Sequence, residues 1–421
     1  MPDSAEPRIA IVGSGPAGCY LAQALLRTLP GSDITIFDRL ASPFGLIRYG
    51  VAADHQHTKA IARQFERLFE SPAVRFAGNI EVGRDLTLDA LRSQFDVVAL
   101  ATGLSVDRPL DLPGGHLSGV VGAGTLIRML NSFPGSGEFP TLGSDVVVVG
   151  AGNVALDILR FLVKDLSGYV GSDVSDRHLS RYLEEPTSRI TVASRSDAPH
   201  SKGDAQMLKE IAALHRASYS TPDPIDAPDG TELDRVEAAR VAAFAELVSA
   251  ERGPFPGPEV TLRFGVVPTR VMGEDRVTAV EYSDGTDTFT VPATSVITAI
   301  GFRTSGENAI DELVAEASDT GRVEPGLYRT GWAMHGPRGG IPENRAFAKS
   351  VADEIAADLA PGDALGFAGL PPEVRERAID YRQWQTLDAL ECASAEPDRV
   401  RRKIPDHDRM VEIARGDQRT L

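Results

Sequence analysis

Apolar positions fall into two patterns along the chain: short unbroken runs that close on glycine, and longer stretches with the spacing of a helix. Arg8 to Val12 (RIAIV) runs into Gly13, and Ala17 to Leu29 follows with the periodicity of a buried helix. Ile34 to Phe37 is a second run, ending in Asp38, so the segment predicts a strand–helix–strand unit. A loop from Leu40 to about His57 comes next, then a helix from about Thr58 to Phe69, then a buried strand from Asp96 to Thr102 that closes on Gly103. Near Gly143 the pattern restarts: Asp145 to Val149 predicts a strand, Gly150 to Gly152 a turn, Val154 to Val163 a helix, and Arg189 to Ala193 the next strand. Ser295 to Ile300, closing on Gly301, echoes the strand before Gly103. The six prolines between Thr221 and Pro258 predict surface loop around one helix near Val236 to Val248. From Pro361 onward, helical patterns at Pro372 to Tyr381 and Gln385 to Ser394 alternate with proline breaks, as expected of a segment that wraps back over the core.

One architecture therefore occurs twice. The expected fold is α/β, two nested Rossmann-like dinucleotide-binding domains: residues 1–107 open the first, 108–330 form the second, and 331–421 return to the first with C-terminal helices. The 421 residues are 42% hydrophobic and 24% charged, the composition of a folded globular chain, and the 40 glycines suit many tight strand-to-helix turns. A formal charge of −17 disfavours nucleic acid as a partner. Cys19 and Cys392 make no C-x-x-C motif, which argues against a disulfide framework or dithiol centre and for a reducing compartment. No run of 18 apolar residues and no signal-peptide pattern occurs, so the expected location is cytoplasmic, with no membrane span. No metal is expected, because neither Cys nor carboxylate recurs at ligand spacing around His55, His57 or His200.

The chemistry sits in the turns. Gly13-Ser14-Gly15-Pro16-Ala17-Gly18 is a G-x-G-x-x-G between strand and helix, with Asp38 twenty residues beyond it. Gly13 permits the tight turn, Gly15 lets a pyrophosphate approach the backbone, Gly18 lets helix and strand pack, and Asp38 suits a ribose hydroxyl pair. Gly150-Ala151-Gly152-Asn153-Val154-Ala155 repeats the logic with alanine in third place. The next strand ends in Ser194, Arg195 and Ser196. A guanidinium with hydroxyls suits a 2′-phosphate, so NADP is favoured over NAD, with Lys202 placed to assist and Asp197 opposing. FAD in the first site and a nicotinamide nucleotide in the second would let hydride pass from one ring to the other.

With these motifs, and with the stretches IAIVGSGPAGCYLA, PFGLIRYGVAADHQHTK (Pro43 to Lys59), GAGNVALDILR (Gly150 to Arg160), TGWAMHGPRGGIPEN (Thr330 to Asn344) and WQTLDALE (Trp384 to Glu391), the chain from Arg8 to about Ile413 resembles the adrenodoxin reductase family of NADPH:ferredoxin reductases, especially its actinobacterial-type members. The resemblance implies that Ala17, Asp38, Leu46 and Val82 line the adenosine and pyrophosphate half of FAD, together with Pro16, Arg39 and Gly45. It implies that Trp332 and Gly339, Gly340 and Ile341 enclose the flavin ring, and that the catalytic residue His55 lies close to the nicotinamide. Arg108, Asn153, Val154 and Ala155 would hold NADP, with Ser194 and Arg195 at the 2′-phosphate. Read alone, His55 and His57 are solvated loop residues.

Departures from the family pattern cluster at the nicotinamide pocket. Ser194 stands where the family has the first of two arginines, removing one charge-assisted contact. An acidic residue near the nicotinamide is expected to be replaced by Gln206 or Met207. Met334-His335 precedes Gly-Pro where the family has a basic residue, Gly-Gly-Ile-Pro-Glu replaces Gly-Val-Ile-Gly-Thr, and Ala53 and Gln56 fill two proline positions. The expected function is an FAD-dependent NADPH oxidoreductase that passes electrons to a ferredoxin or similar iron–sulfur protein, which in turn can feed a cytochrome P450. The alternatives are an FAD/NAD(P)H oxidoreductase acting on a small molecule, quinone or oxygen, and a flavin-binding protein with impaired nicotinamide turnover. The run Arg399, Arg401, Arg402, Lys403 reads as a solvated face, its functional alternative being a dock for an acidic ferredoxin.

Overall fold

In the computed structural model, described for residues 6–227, 231–249, 251–253, 255–306, 309–360 and 362–416, the two predicted units each build a six-stranded sheet. The outermost ends of the expected first and last segments, and parts of the Thr221–Pro258 stretch, lie outside the described residues. The first sheet runs Arg322–Glu324, Leu327–Arg329, Val97–Leu100, Arg8–Val12, Asp33–Phe37, Val74–Ala77. Every pair in it is parallel except the outermost, Arg322–Glu324 on Leu327–Arg329. The second sheet is parallel throughout, in the order Val120–Gly122, Ser295–Thr298, Asp145–Val149, Arg189–Ala193, Glu259–Arg263, Ser218–Ser220. Central strands such as Val146 to Val149 are buried and unbroken because both faces of this parallel sheet are covered, Val146 and Val148 packing among helices and Val147 and Val149 against Val271, Val280 and Tyr282.

The chain passes from the first unit to the second at Val106–Asp107 and back at Phe302–Arg303, and these two segments pair as a short antiparallel ribbon. After the second crossing, Ile310, Val314 and Leu327 enter the core beneath the first sheet. The first sheet thus takes up residues from before the expected boundary at 331. The three-residue strands there are too short to announce themselves as a sheet edge. An antiparallel meander, Val267–Gly273, Val277–Ser283 and Thr288–Pro292, is carried on the second unit.

Two further differences concern helices. The helix expected from Thr58 is two pieces, Gln56–Lys59 and Ala62–Phe69, joined by a tight turn in which Ala60 N–H reaches back to both Gln56 and His57. The C-terminal helix Tyr381–Ala393 begins four residues before its expected start, where an Asp380/Gln383 capping box satisfies its first amides. It buries Trp384 and Leu387 in the core of the first unit, while the strand-like stretch after it crosses to the second unit: Val400 N–H donates to the Ser172 carbonyl at 3.0 Å and Gly171 N–H to the Asp398 carbonyl at 2.8 Å. The segment therefore straps the two units together. Among the described residues, no helix is long and apolar enough to cross a membrane.

Beneath the strap, charge is buried. Lys59 and Lys403 place their ammonium groups on the two oxygens of Asp173, at 2.7 and 2.8 Å, and share Asn131 Oδ1 at 2.5 and 2.9 Å. Arg48 makes a two-pronged contact with Glu391 at 2.6 and 2.7 Å. Both clusters join residues from both ends of the chain, and the first also joins the two units. It fixes the loop ahead of His55 as well, since Asn131 Nδ2 donates to the Val51 carbonyl at 2.9 Å and Asp173 N–H to that of Ala53 at 3.2 Å. Ala53 is buried in the core of the second unit, a reason for a small side chain there.

Candidate active site

Both glycine loops open on one cavity of about 840 Å³. In the first loop a Cβ on Gly13 would stand 2.4 Å from the Ala101 carbonyl oxygen, and one on Gly18 would stand 2.0 Å from that of Gly13, so neither position admits a side chain. A Cβ on Gly15 would meet nothing within 4 Å, because Gly15 forms the cavity wall. The helix Pro16–Thr28 has no side-chain cap, and neither has Asn153–Val163 after the second loop. Two bare helix N-termini thus end at one cavity, each with amides and partial positive charge available to an anion. Asp38 stitches the first loop to the neighbouring strand, accepting from Ser14 N–H at 3.0 Å, Ser14 Oγ at 2.5 Å and Leu40 N–H at 3.0 Å, and it lines the cavity with Arg39. These are the features a dinucleotide requires, so the chain's residues fit FAD in the first site and a nicotinamide nucleotide in the second.

Of the expected residues, Gly13, Gly15, Pro16, Ala17, Asp38, Arg39, Gly45, Leu46, His55, Asn153, Val154, Trp332, Gly340 and Ile341 line this cavity. Gly18, Gly150 and Gly152 shape the loops behind it, and Ala155 is buried in the second helix. Val82 is buried in the core on the other face of the first sheet and does not line the cavity. Arg108 is exposed beside the inter-unit ribbon, its Nε donating to the Phe302 carbonyl at 3.2 Å. Ser194 is buried, and its hydroxyl accepts from Ser196 N–H at 3.1 Å, whereas Arg195 is exposed. Trp332 stacks on Phe302 at 5.5 Å and donates to the Gly339 carbonyl at 3.1 Å. Met334 is buried and His335 packs on Phe347, both outside the cavity lining.

The expected loss of an acidic residue is corrected by the structure. Gln206 is exposed and Met207 lines the cavity, but Glu210, one helical turn beyond Gln206 on the helix Ala205–Ala213, brings a carboxylate to 3.4 Å from His55 Nε2. A four-residue step keeps the same helix face. On the other side of the ring, Asp157 Oδ1 lies 3.5 Å from His55 Nδ1. Arg160 ties the group together, reaching Asp54 at 3.0 Å, Asp157 at 3.0 Å and Glu210 at 3.1 Å, and Lys164 pairs with Asp54. Burial pushes Asp157 up to about 7, with Asp54 and Glu210 adding to the rise against Arg160. Burial alone would raise Asp54, yet Arg160 and Lys164 outweigh it and hold this carboxyl below the usual range. Burial, then Arg160, lowers His55. The surroundings thus favour the neutral ring, although Asp54 and Glu210 pull the other way.

Sequence reasoning missed Asp54, Asp157, Arg160, Lys164 and Glu210 as a group. The available signal was the i, i+3 pair Asp157 and Arg160 on the helix that follows the second glycine loop.

A family model described as pyridine nucleotide-disulphide oxidoreductase matches residues 7–195. The chain is 40% identical to cindoxin reductase of Citrobacter braakii, over 98% of this chain and 92% of that protein. It is 32% identical to a probable ferredoxin/ferredoxin–NADP reductase of Mycobacterium leprae, over 97% and 78%. Among solved structures, Mycobacterium tuberculosis FprA in complex with NADPH superposes with a TM-score of 0.86 at 27% identity, covering 98% of this chain and all of that one. The chain belongs to the adrenodoxin reductase family of NADPH:ferredoxin reductases.

Proposed function

We propose that this protein is a flavoenzyme that passes electrons from NADPH through FAD to a ferredoxin-type iron–sulfur protein, one able to feed a cytochrome P450. The observation that carries the reading is the single cavity onto which both uncapped glycine-loop helices and His55 open. FAD, when bound, supplies the exchange between a two-electron hydride donor and a one-electron acceptor. The chain's task is then binding, orientation and exclusion of water. Gly13, Gly15 and the amides of Ala17 and Gly18 would hold the pyrophosphate of FAD, and Asp38 its ribose. Trp332, Gly340 and Ile341 would wall the ring. Asn153, Val154 and Ala155 would receive the nicotinamide nucleotide and Arg195 its 2′-phosphate, while Ser194, turned into its own loop, contributes little there. His55 would meet the nicotinamide as a neutral imidazole set by Glu210 and Asp157.

Glu210 removes one motive for supposing impaired nicotinamide turnover. The basic run at the C-terminus supplies only a weak dock: Arg399 is paired with Asp176, Arg401 with Asp388 and Glu391, and Lys403 is buried on Asp173. Arg402 is the member left exposed without an ion pair among the described residues. Two unpaired cysteines accord with a cytoplasmic location. In the decisive experiment, FAD-loaded protein is mixed anaerobically with NADPH and then with candidate ferredoxins in a stopped-flow instrument. Bleaching of the flavin followed by fast reoxidation is expected. Bleaching without transfer to any iron–sulfur protein would redirect the reading to a small-molecule acceptor, and absence of bleaching would defeat it.

A further inference from the structure

We infer that Lys202 binds the pyrophosphate of the nicotinamide nucleotide, and so restores in affinity, though not in selectivity, the cation missing at Ser194. The inference rests on the proposed function and adds to it a specific residue.

Residues 202–204 are fastened to the second glycine loop. A Cβ on Gly152 would lie 3.7 Å from that of Lys202, and one on Gly203 would press to 2.9 Å on the Ala151 carbonyl oxygen. Asp204 N–H donates to Asn153 Oδ1 at 2.9 Å, at the first residue of the helix Asn153–Val163. Behind the turn, Arg240 holds the Gly203 carbonyl at 2.8 Å and also bonds that of Pro199. The backbone carrying Lys202 is thus fixed against the bare N-terminus of a nucleotide-binding helix.

Lys202 itself is exposed and has no hydrogen-bond or ion-pair partner among the described residues. Neighbouring cations differ: Arg240 is spent on carbonyls, and Arg160 and Lys164 on carboxylates. Arg195 likewise has no partner among the described residues, but it stands just past the strand Arg189–Ala193, where a 2′-phosphate would be read. The segment that carries Lys202 is attached instead at Gly152, beside Lys202 itself, and at Asn153 through Asp204, the place of the pyrophosphate. A lysine acts there as a mobile point charge, which needs no bidentate geometry. Because every nicotinamide nucleotide carries a pyrophosphate, this contact should be blind to the 2′-phosphate.

The test is titration of oxidised, FAD-loaded protein with NADP⁺ and with NAD⁺, read from the flavin difference spectrum, in wild type, Lys202→Met, Lys202→Arg and Arg195→Ala. Lys202→Met should raise both dissociation constants by about tenfold, the low end for one charge-assisted contact. Lys202→Arg should restore most of the loss, and Arg195→Ala should weaken NADP⁺ alone. Unchanged binding in Lys202→Met, or a loss confined to NADP⁺, overturns the inference. Wild-type protein that binds neither nucleotide would instead defeat the proposed function.

Discussion

Replacing Asp173 by asparagine should destabilise the protein by several kcal/mol at neutral pH, and the penalty should shrink as pH rises. Asp173 is buried and takes Lys59 at 2.7 Å and Lys403 at 2.8 Å. At an effective dielectric constant near 20 each contact is worth about 6 kcal/mol before desolvation is charged against it. Removing one member of a buried pair costs roughly 3–5 kcal/mol net, a large share of a typical stability of about 5–15 kcal/mol. The lysines have one escape, loss of a proton. Burial already pushes both ammonium groups below their usual range, Lys403 furthest, whereas the two lysines hold Asp173 ionised against burial. In the variant a lysine sheds its proton, at about 1.4 kcal/mol for each pH unit below 10.4, hence about 4.6 kcal/mol at pH 7. The two routes agree. A lysine with a lowered folded value makes the unfolded chain the larger proton binder up to about pH 10, so stability rises with pH across that window. Urea unfolding of FAD-loaded wild type and variant at pH 7, 8 and 9.5 should give midpoints that converge. A penalty below about 1 kcal/mol at pH 7, or one that stays constant to pH 9.5, would refute the reasoning.

Arg195→Ala should raise the NADPH Michaelis constant by about tenfold or more with little change for NADH; an equal effect on both would deny it the 2′-phosphate. Asp157→Asn should stabilise the protein at pH 8 by roughly 2–4 kcal/mol and match wild type below about pH 4. A carboxyl raised to about 7 withholds stability above that pH and not below its unfolded value, so urea midpoints against pH test the sign. Glu210→Gln removes a charge that favours the protonated His55 ring, so the imidazole should titrate lower still, as read by NMR of the ring protons. Gly18→Ala, with its Cβ at 2.0 Å from the Gly13 carbonyl oxygen, should abolish FAD retention, and purification of a fully yellow variant would contradict that.

What could be read from the chain follows the range of the forces involved. The glycine loops declare themselves because backbone contacts such as Gly18 on Gly13 are local and tolerate no substitute, and the buried strands because parallel sheets leave no polar face. Position in the chain puts the uncharged Gln206 or Met207 where the family has its acidic residue, but a carboxylate on a helix is defined by its face, and Glu210 brings one to His55 a turn later. The charge network around it draws Asp54 from a loop, Asp157 and Arg160 from one helix and Glu210 from another, so no window of sequence contains it. The same holds for Lys59, Asp173 and Lys403, which are far apart in sequence and meet only because the strap crosses between units. There the basic run at Arg399 to Lys403 had the composition of a docking face, yet three of its four cations are consumed within the fold. Composition reports that charge is present; only partners decide whether it is free to act on another molecule. By that criterion Arg195 and Lys202, exposed and unpaired among the described residues, are the cations we propose for the nucleotide, and the two titrations above decide between them and the bare helix N-terminus.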